Sequence, residues 1–411
     1  GWRQGGSVVG ETDSGKFVAA NGGLYEITCV ASTTTAYGII RSVASSTTAS
    51  PKGSWTLEEP LWSCTRGYAQ TGDFKDDRLY LDAGVRFCGS KSGDYENFAT
   101  GANDDDAVVF GINSKTISTI RAIVGARDLQ LFTTGAQFVA THSSNAAAIT
   151  PTDVSVSQET AHTSSGVPPI RVNDVTLFLT RFGKQLREFT VPRDSIGDAY
   201  VAPDLLILAE HITENAAIVD MAYQREPTSA IWCVLNNGLL ASCTYRREEN
   251  VVAWATHQTC GAFEAVTVIP HPDGDRDQVW VIVKRTLVSG VKRYVEYLDD
   301  STLYYNRRFT DAAVVYNNCV AVSVFSTGLD HLECERVLVQ ADGRFVGSCT
   351  VAQGRVGIPT PANKVEIGLP MISEAITMPP EVAYGAGSIQ PMRKRWTRIF
   401  LRVKDSCNMH I

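Results

Sequence analysis

Along most of this chain, apolar and polar positions either alternate with period two or run fully apolar for a strand's length. Clusters of Gly, Asn and Asp separate the runs. The pattern predicts a mainly β protein. The strands it marks most directly are 17–20, 24–30, 78–81, 107–112, 129–132, 138–141, 175–180, 231–235, 238–245, 265–269, 279–284 and 294–298. Asn236-Asn237-Gly238, between two apolar runs, predicts a hairpin with a primed turn, because Asn and Gly tolerate the positive φ such a turn needs. Pro272-Asp273-Gly274-Asp275 predicts the next hairpin in the same way. One stretch changes period. After Pro203, the residues Leu205, Leu208, Ala209 and Ile212 share a helical face with Asp204 placed as N-cap, which predicts a short helix near 204–213.

Many short strands without alternating helices exclude a parallel α/β sheet and leave a sandwich, a barrel or a propeller. Units of apolar run, turn, apolar run and polar loop recur about every 40 to 55 residues, near the length of a propeller blade. A β-propeller-like domain is therefore expected over 61–299, with an N-terminal β segment, 1–60, joining it. Ser- and Thr-rich stretches at 32–35, 45–50 and 142–151 read as exposed loops. Beyond Leu298 the texture turns polar and Tyr-rich. A distal β domain, 300–411, follows, with strands at 337–342 and 364–369 and a loop marked by Pro379-Pro380 and Gly385-Ala386-Gly387 before a last basic strand.

Composition narrows this picture. At 411 residues and 44% hydrophobic, the chain is long and apolar enough to bury several cores, which excludes disorder as its main state. A net charge of −7 argues against a protein that coats nucleic acid by charge alone. No apolar run approaches the length of a membrane span, so none is expected. Gly1-Trp2-Arg3-Gln4-Gly5-Gly6 has neither an initiator Met nor a charged-then-apolar leader, and the chain reads as trimmed and without an export signal. Ten cysteines without a Cys-x-x-Cys pair read as reduced core thiols. The tightest metal set, Cys243, His257 and Cys260, matches no zinc-ribbon or finger spacing.

The candidate chemistry is sparse. Gly10–Lys16 satisfies the phosphate-loop pattern as far as the lysine, but Phe17 stands where Ser or Thr must hold Mg²⁺, and a strand follows where a helix should begin. Asp104-Asp105-Asp106 and Asp273/Asp275/Asp277 offer oxygens to Ca²⁺ without an EF-hand layout, and solvated turns explain them more simply. No Gly-x-Ser-x-Gly or His-Glu-x-x-His appears. Ser90–Tyr95 loosely resembles the Asp-containing hairpin of sialidases, with Ser, Asp and Gly in the wrong order. The strongest electrostatic feature is the run Arg393, Lys394, Arg395, Arg398, Arg402 and Lys404, free of acids. Read as a strand, it puts Lys394, Trp396, Arg398, Phe400, Arg402 and Lys404 on one face and Ile399, Leu401 and Val403 on a core face. Such a face either meets a polyanion or an acidic subunit, or guards a sheet edge against aggregation.

Several runs point to a family together. Gly67-Tyr68, Asp77-Arg78-Leu79-Tyr80-Leu81 and Gly89-Ser90-Lys91-Ser92-Gly93-Asp94-Tyr95-Glu96-Asn97-Phe98 come first. Tyr200–Leu205, Leu208–Ile212 and Val219–Pro227 come next, and Gly328–Glu333, Ala341-Asp342-Gly343 and Gly368-Leu369-Pro370 follow. In this order they resemble segments of the tail nozzle proteins of short-tailed bacteriophages, the family of tail tubular protein B and packaged-DNA stabilisation proteins. Cys334 stands where that family usually has a small residue such as Gly.

The resemblance implies a structural virion protein of the tail, built on a β-propeller. Six copies form a ring below portal and adaptor, with tail fibres as further neighbours. The ring's channel retains and conducts double-stranded DNA without sequence-specific contacts. Neither a catalytic residue nor a cofactor is expected. A net charge of −7 suits such a ring, since every phosphate held by Lys or Arg would delay ejection. The basic residues 393–404 are expected to meet Asp104, Asp105 and Asp106 of a neighbouring subunit. The alternatives are a carbohydrate-binding or carbohydrate-cleaving tail propeller, which needs an acidic pocket with two carboxylates about 5 to 10 Å apart, and a monomeric propeller acting as an interaction scaffold.

Overall fold

The computed structural model describes residues 13–32, 35–51, 54–63, 66–113, 117–144, 148–192, 199–299 and 310–374, the backbone of 3–4 and 7–8, and positions 376, 393, 395, 398 and 400–402. With 55% strand against 2% helix, the protein is mainly β. No helix among the described residues is long and apolar enough to cross a membrane.

Strands β1 (Arg3–Gln4) and β2 (Ser7–Val8) pair as a short ladder. Strands β3 (Phe17–Ala20), β4 (Gly23–Ser32), β5 (Thr35–Ser42) and β6 (Thr56–Glu58) form a sheet in the order β5-β4-β3-β6, around Val18, Ala20, Ile27 and Trp55. Five antiparallel sheets follow, each with its strands side by side in chain order. The first holds β7 (Gly72–Lys75), β8 (Arg78–Ala83), β9 (Arg86–Gly89) and β10 (Val108–Gly111). The second holds β11 (Ile120–Gly125), β12 (Leu129–Thr133), β13 (Gln137–Thr141) and β14 (Ser155–Thr160). The third is β15 (Ile170–Val172), β16 (Val175–Leu179) and β17 (Leu186–Phe189). The fourth is β18 (Ile218–Gln224), β19 (Ala230–Leu235), β20 (Leu240–Arg246) and β21 (Val251–His257), and the fifth is β22 (Ala262–Pro270), β23 (Asp277–Leu287) and β24 (Gly290–Tyr297). They begin at residues 72, 120, 170, 218 and 262, so the repeat read from the sequence is a repeat of whole sheets. The last sheet, β25 (Asp311–Phe325), β26 (Arg336–Ala341), β27 (Arg344–Thr350) and β28 (Val356–Leu369), abandons the meander for the order β25-β28-β26-β27.

The five sheets pack face to face in series, which explains why β12 and β16, inside the series, are buried along their whole length rather than on alternate residues. On β12, Leu129 and Leu131 meet Tyr80, Phe87 and Val108 of the preceding sheet. Phe132 points the other way, onto Phe178 and Phe189 with ring centroids 5.1 and 5.5 Å apart. On β16, Val175, Leu177 and Leu179 join Ile231, Cys233 and Cys243 of the fourth sheet. Val234 on β19 then faces Phe263, Val281 and Val283 of the fifth. Each such side chain contributes about 1.5–3 kcal/mol by leaving water. Truncating Phe132, which is wedged between two sheets, costs about 3–5 kcal/mol.

Several local expectations change. The hairpin at Asn236–Gly238 is not a primed turn. Gly238 alone takes positive φ (86°) and donates to Leu235 O, which makes a three-residue loop ending in a left-handed glycine. Asn236 and Asn237 spend their side-chain carbonyls instead on the N–H groups of Ala217 and Leu239. The helix expected near 204–213 shrinks to α1 (Glu210–Thr213). Asp204 does not cap it: its carboxylate accepts the Leu206 N–H at 2.9 Å, closing a local turn that competes with helix. Leu208 is therefore exposed rather than packed on a helical face. The described residues of the expected basic strand, Arg393, Arg395, Arg398, Phe400, Leu401 and Arg402, are exposed and carry no strand pairing.

Candidate functional site

The family-like segment 89–98 opens an ordered connection of the first sheet, residues 90–107, between β9 and β10. Six of the ten motif residues, Gly89, Ser90, Lys91, Gly93, Tyr95 and Phe98, have a definable task there. Arg78, on β8 and almost fully buried, reaches across the loop's base and donates to the carbonyls of Ser90 and Asp106, both at 2.6 Å, and to that of Asp104. Ser90, fully buried, accepts the Leu79 N–H at 3.0 Å and donates to Lys91 O at 2.9 Å. Gly93, at φ 70°, donates its N–H to Asp77 O at 2.9 Å. Gly89 lies against Tyr80, whose ring leaves no room for a Cβ. The Tyr95 hydroxyl donates to Asp77 Oδ1 at 2.8 Å, a bond to a carboxylate that raises the phenol's pKa. Tyr95 also meets Phe74 edge-on, and Phe98 meets Trp62 the same way.

The expected contact residues fall into three groups. Asp106 is buried, its carboxylate bound by Lys91 Nζ at 2.6 Å and by the Asn103 N–H at 3.0 Å. The lysine bond, first among the causes, holds the Asp106 pKa below the usual carboxylate range. Asp106 thus braces the loop from within. Asp104 and Asp105 stay exposed on its surface. Arg393, Arg395, Arg398 and Arg402 are exposed, whereas Lys394 and Lys404 lie outside the described residues. Sequence reading passed over Arg78 as a charge, because its carbonyl partners lie 12 to 28 residues away.

The residues of the Cys243, His257 and Cys260 set and of the Asp273, Asp275 and Asp277 set do not converge on one point. Cys243 pairs with Trp254 and faces the core shared by the third and fourth sheets. His257 pairs with Leu240 and so lies on the opposite face. His257 Nε2 is bonded to Ser242 Oγ at 2.7 Å, and burial pushes the Cys243 thiol up to about 12. Asp277 is occupied by the N–H groups of Arg225 and Glu226 at the mouth of an open groove of about 190 Å³. Two carboxylates, Glu226 and Asp277, line that groove, and Asp277 takes both N–H groups on the one oxygen Oδ2.

Among the described residues, the one group with metal-ligand spacing is His271, Asp273 and Asp275, on the β22–β23 turn. Its chemistry disfavours a cation. Arg276 lies 3.1 Å from His271 Nε2 and holds both oxygens of Asp275 at 2.9 Å. A metal on Nδ1 would force a proton onto Nε2, facing a guanidinium that can only donate. Lys16, the end of the phosphate-loop pattern, is likewise engaged, 2.8 Å from Asp13 and 3.2 Å from Glu59.

A second buried cation ties two parts of the chain together. Arg285 on β23 has no exposed side-chain surface and is held by Glu296 of β24 and by Asp311, the first residue of β25. Asp311 also accepts from Thr259 Oγ1 and from the Cys260 N–H.

No protein-family model matches this chain, and no curated protein matches it.

Proposed function

We propose that this chain is a structural subunit of a ring-shaped viral tail nozzle, a non-catalytic wall for the channel that retains packaged double-stranded DNA and conducts it during ejection. The observation that carries the reading is the series of five single-meander sheets, stacked face to face with a regular repeat. This is how propeller blades succeed one another, and a stack of closely packed sheets gives a wall that resists deformation. Two further observations support it. The family-like segment 89–98 builds one coherent loop braced by Arg78, so its residues belong together structurally. Cys334, where the family usually has a small residue, takes φ 64°, a conformation that favours glycine.

In this reading the acidic balance of the chain keeps the channel from gripping phosphates, and the ring docks on an adaptor under the portal. Native mass spectrometry of the purified chain, alone and with its adaptor, tests it. A hexamer of about 268 kDa, six times the 44.6 kDa chain, is expected in at least one sample. A monomer in both rejects the reading.

A further inference from the structure

Five sheets stacked in series have two end faces, and each leaves large apolar side chains in water. On the fifth sheet, Phe263, Val279, Val281 and Val283 pack inward. The register puts Trp280 beside Tyr297, Ile282 beside Val295, and Lys284 beside Arg293 on the outward face. That face is apolar and open: Val295 is 69% exposed and Tyr297 53%. Trp280 Nε1 is shut off from water and has no acceptor. Lys284 is exposed there, and Arg293, also exposed, pairs with Glu264.

On the first sheet, Tyr80, Phe87 and Val108 pack toward the second. Its outward face carries Phe74, Leu79, Leu81, Cys88 and Val109: Cys88 is buried, Leu79, Leu81 and Val109 are half-buried, and Phe74, at the edge, is 58% exposed. Tyr95 packs on Phe74 and fixes the 90–107 loop beside this face. The loop exposes the acids Asp94, Glu96, Asp104 and Asp105. One end of the stack is therefore apolar with cations, and the other apolar with an acidic border.

We propose that the outward face of β22–β24 seats the outward face of β7–β10 of a second copy, head to tail, with Lys284 and Arg293 meeting the carboxylates of that copy's 90–107 loop. The contact extends the packing already used four times within the chain. Charge complementarity selects the orientation. Because the two faces differ, the contact is heterologous and closes into a ring when the rotation allows. Closure at six copies rests on the nozzle reading; the pairing of faces does not.

The test uses two variants at exposed positions, each with one ruined face: Ile282→Asp with Val295→Asp, and Phe74→Asp with Asp94→Lys and Glu96→Lys. Wild type is expected to assemble. Each variant alone is expected to be monomeric by native mass spectrometry, with an unchanged near-ultraviolet circular dichroism spectrum, and an equimolar mixture to give a one-to-one dimer. A charge-only series guards against misfolding. Lys284→Glu with Arg293→Glu should raise the dissociation constant at least about tenfold, and adding Asp94→Lys and Glu96→Lys to the same chain should restore it. An assembled wild type whose variants also assemble overturns this contact while the ring stands. Self-association of either variant into a dimer shows like-with-like pairing and also overturns it. A monomeric wild type overturns both.

Discussion

Arg285 and Asp311 are joined by two parallel hydrogen bonds of 2.8 and 2.9 Å, where the fifth sheet meets the distal one. The guanidinium is wholly buried, and its charge is met by the carboxylates of Asp311 and Glu296 and by the carbonyl of Cys260. A bidentate pair of this kind fixes orientation as well as distance.

Removing Asp311 leaves Arg285 with Glu296 as its one carboxylate partner and takes the acceptor from Thr259 Oγ1 and the Cys260 N–H. Asp311→Ala should destabilise the protein by about 1–3 kcal/mol, read as a shift of the urea midpoint. Surface pairs such as Arg41 with Glu26 should cost under about 1 kcal/mol when broken.

The same joint should respond to acid. Burial pushes the Asp311 carboxyl up, but hydrogen bonds from Arg285 and Thr259 and the arginine's charge outweigh it and hold the pKa below the usual value. A carboxylate with a depressed folded pKa contributes fully above its unfolded value, about 3.9, and loses that contribution as pH falls through the folded one. Wild type should therefore lose stability more steeply below about pH 4 than Asp311→Asn, which lacks the titrating group. Equal slopes in acid titrations followed by tryptophan fluorescence would refute this.

Arg78→Met should release the 90–107 loop. It leaves the buried carbonyls of Ser90 and Asp106 without a donor, at about 1–3 kcal/mol each. Limited proteolysis should then cut within 90–107 before any other site, whereas the wild-type loop should resist.

Cys334→Gly should stabilise the protein by about 1 kcal/mol, because the left-handed backbone at φ 64° strains a residue with a Cβ. A lowered melting temperature would contradict this account of the position.

The elements legible in the sequence were those buried on one or both faces, such as β12, β16 and β19, whose apolar runs leave no other reading. Strands β5 and β21 were missed because they are largely exposed, so no inward face imprints a period on them. The helix near 204–213 was overextended because a helical spacing of apolar residues does not reveal that Asp204 closes a turn on Leu206. The Asp104–Asp106 run was visible as charge, but not its division into two exposed acids and one internal brace. That division depends on Lys91 being folded back across the loop. Arg285 was unreadable for the same reason: Asp311 lies 26 residues on, and only the folded chain brings them together.

The central claim is a ring, and electron microscopy of the purified chain bound to its adaptor tests it most directly. The account predicts class averages with sixfold symmetry around an open axial channel. Isolated particles of 44.6 kDa, or closed assemblies without an axial opening, would contradict it.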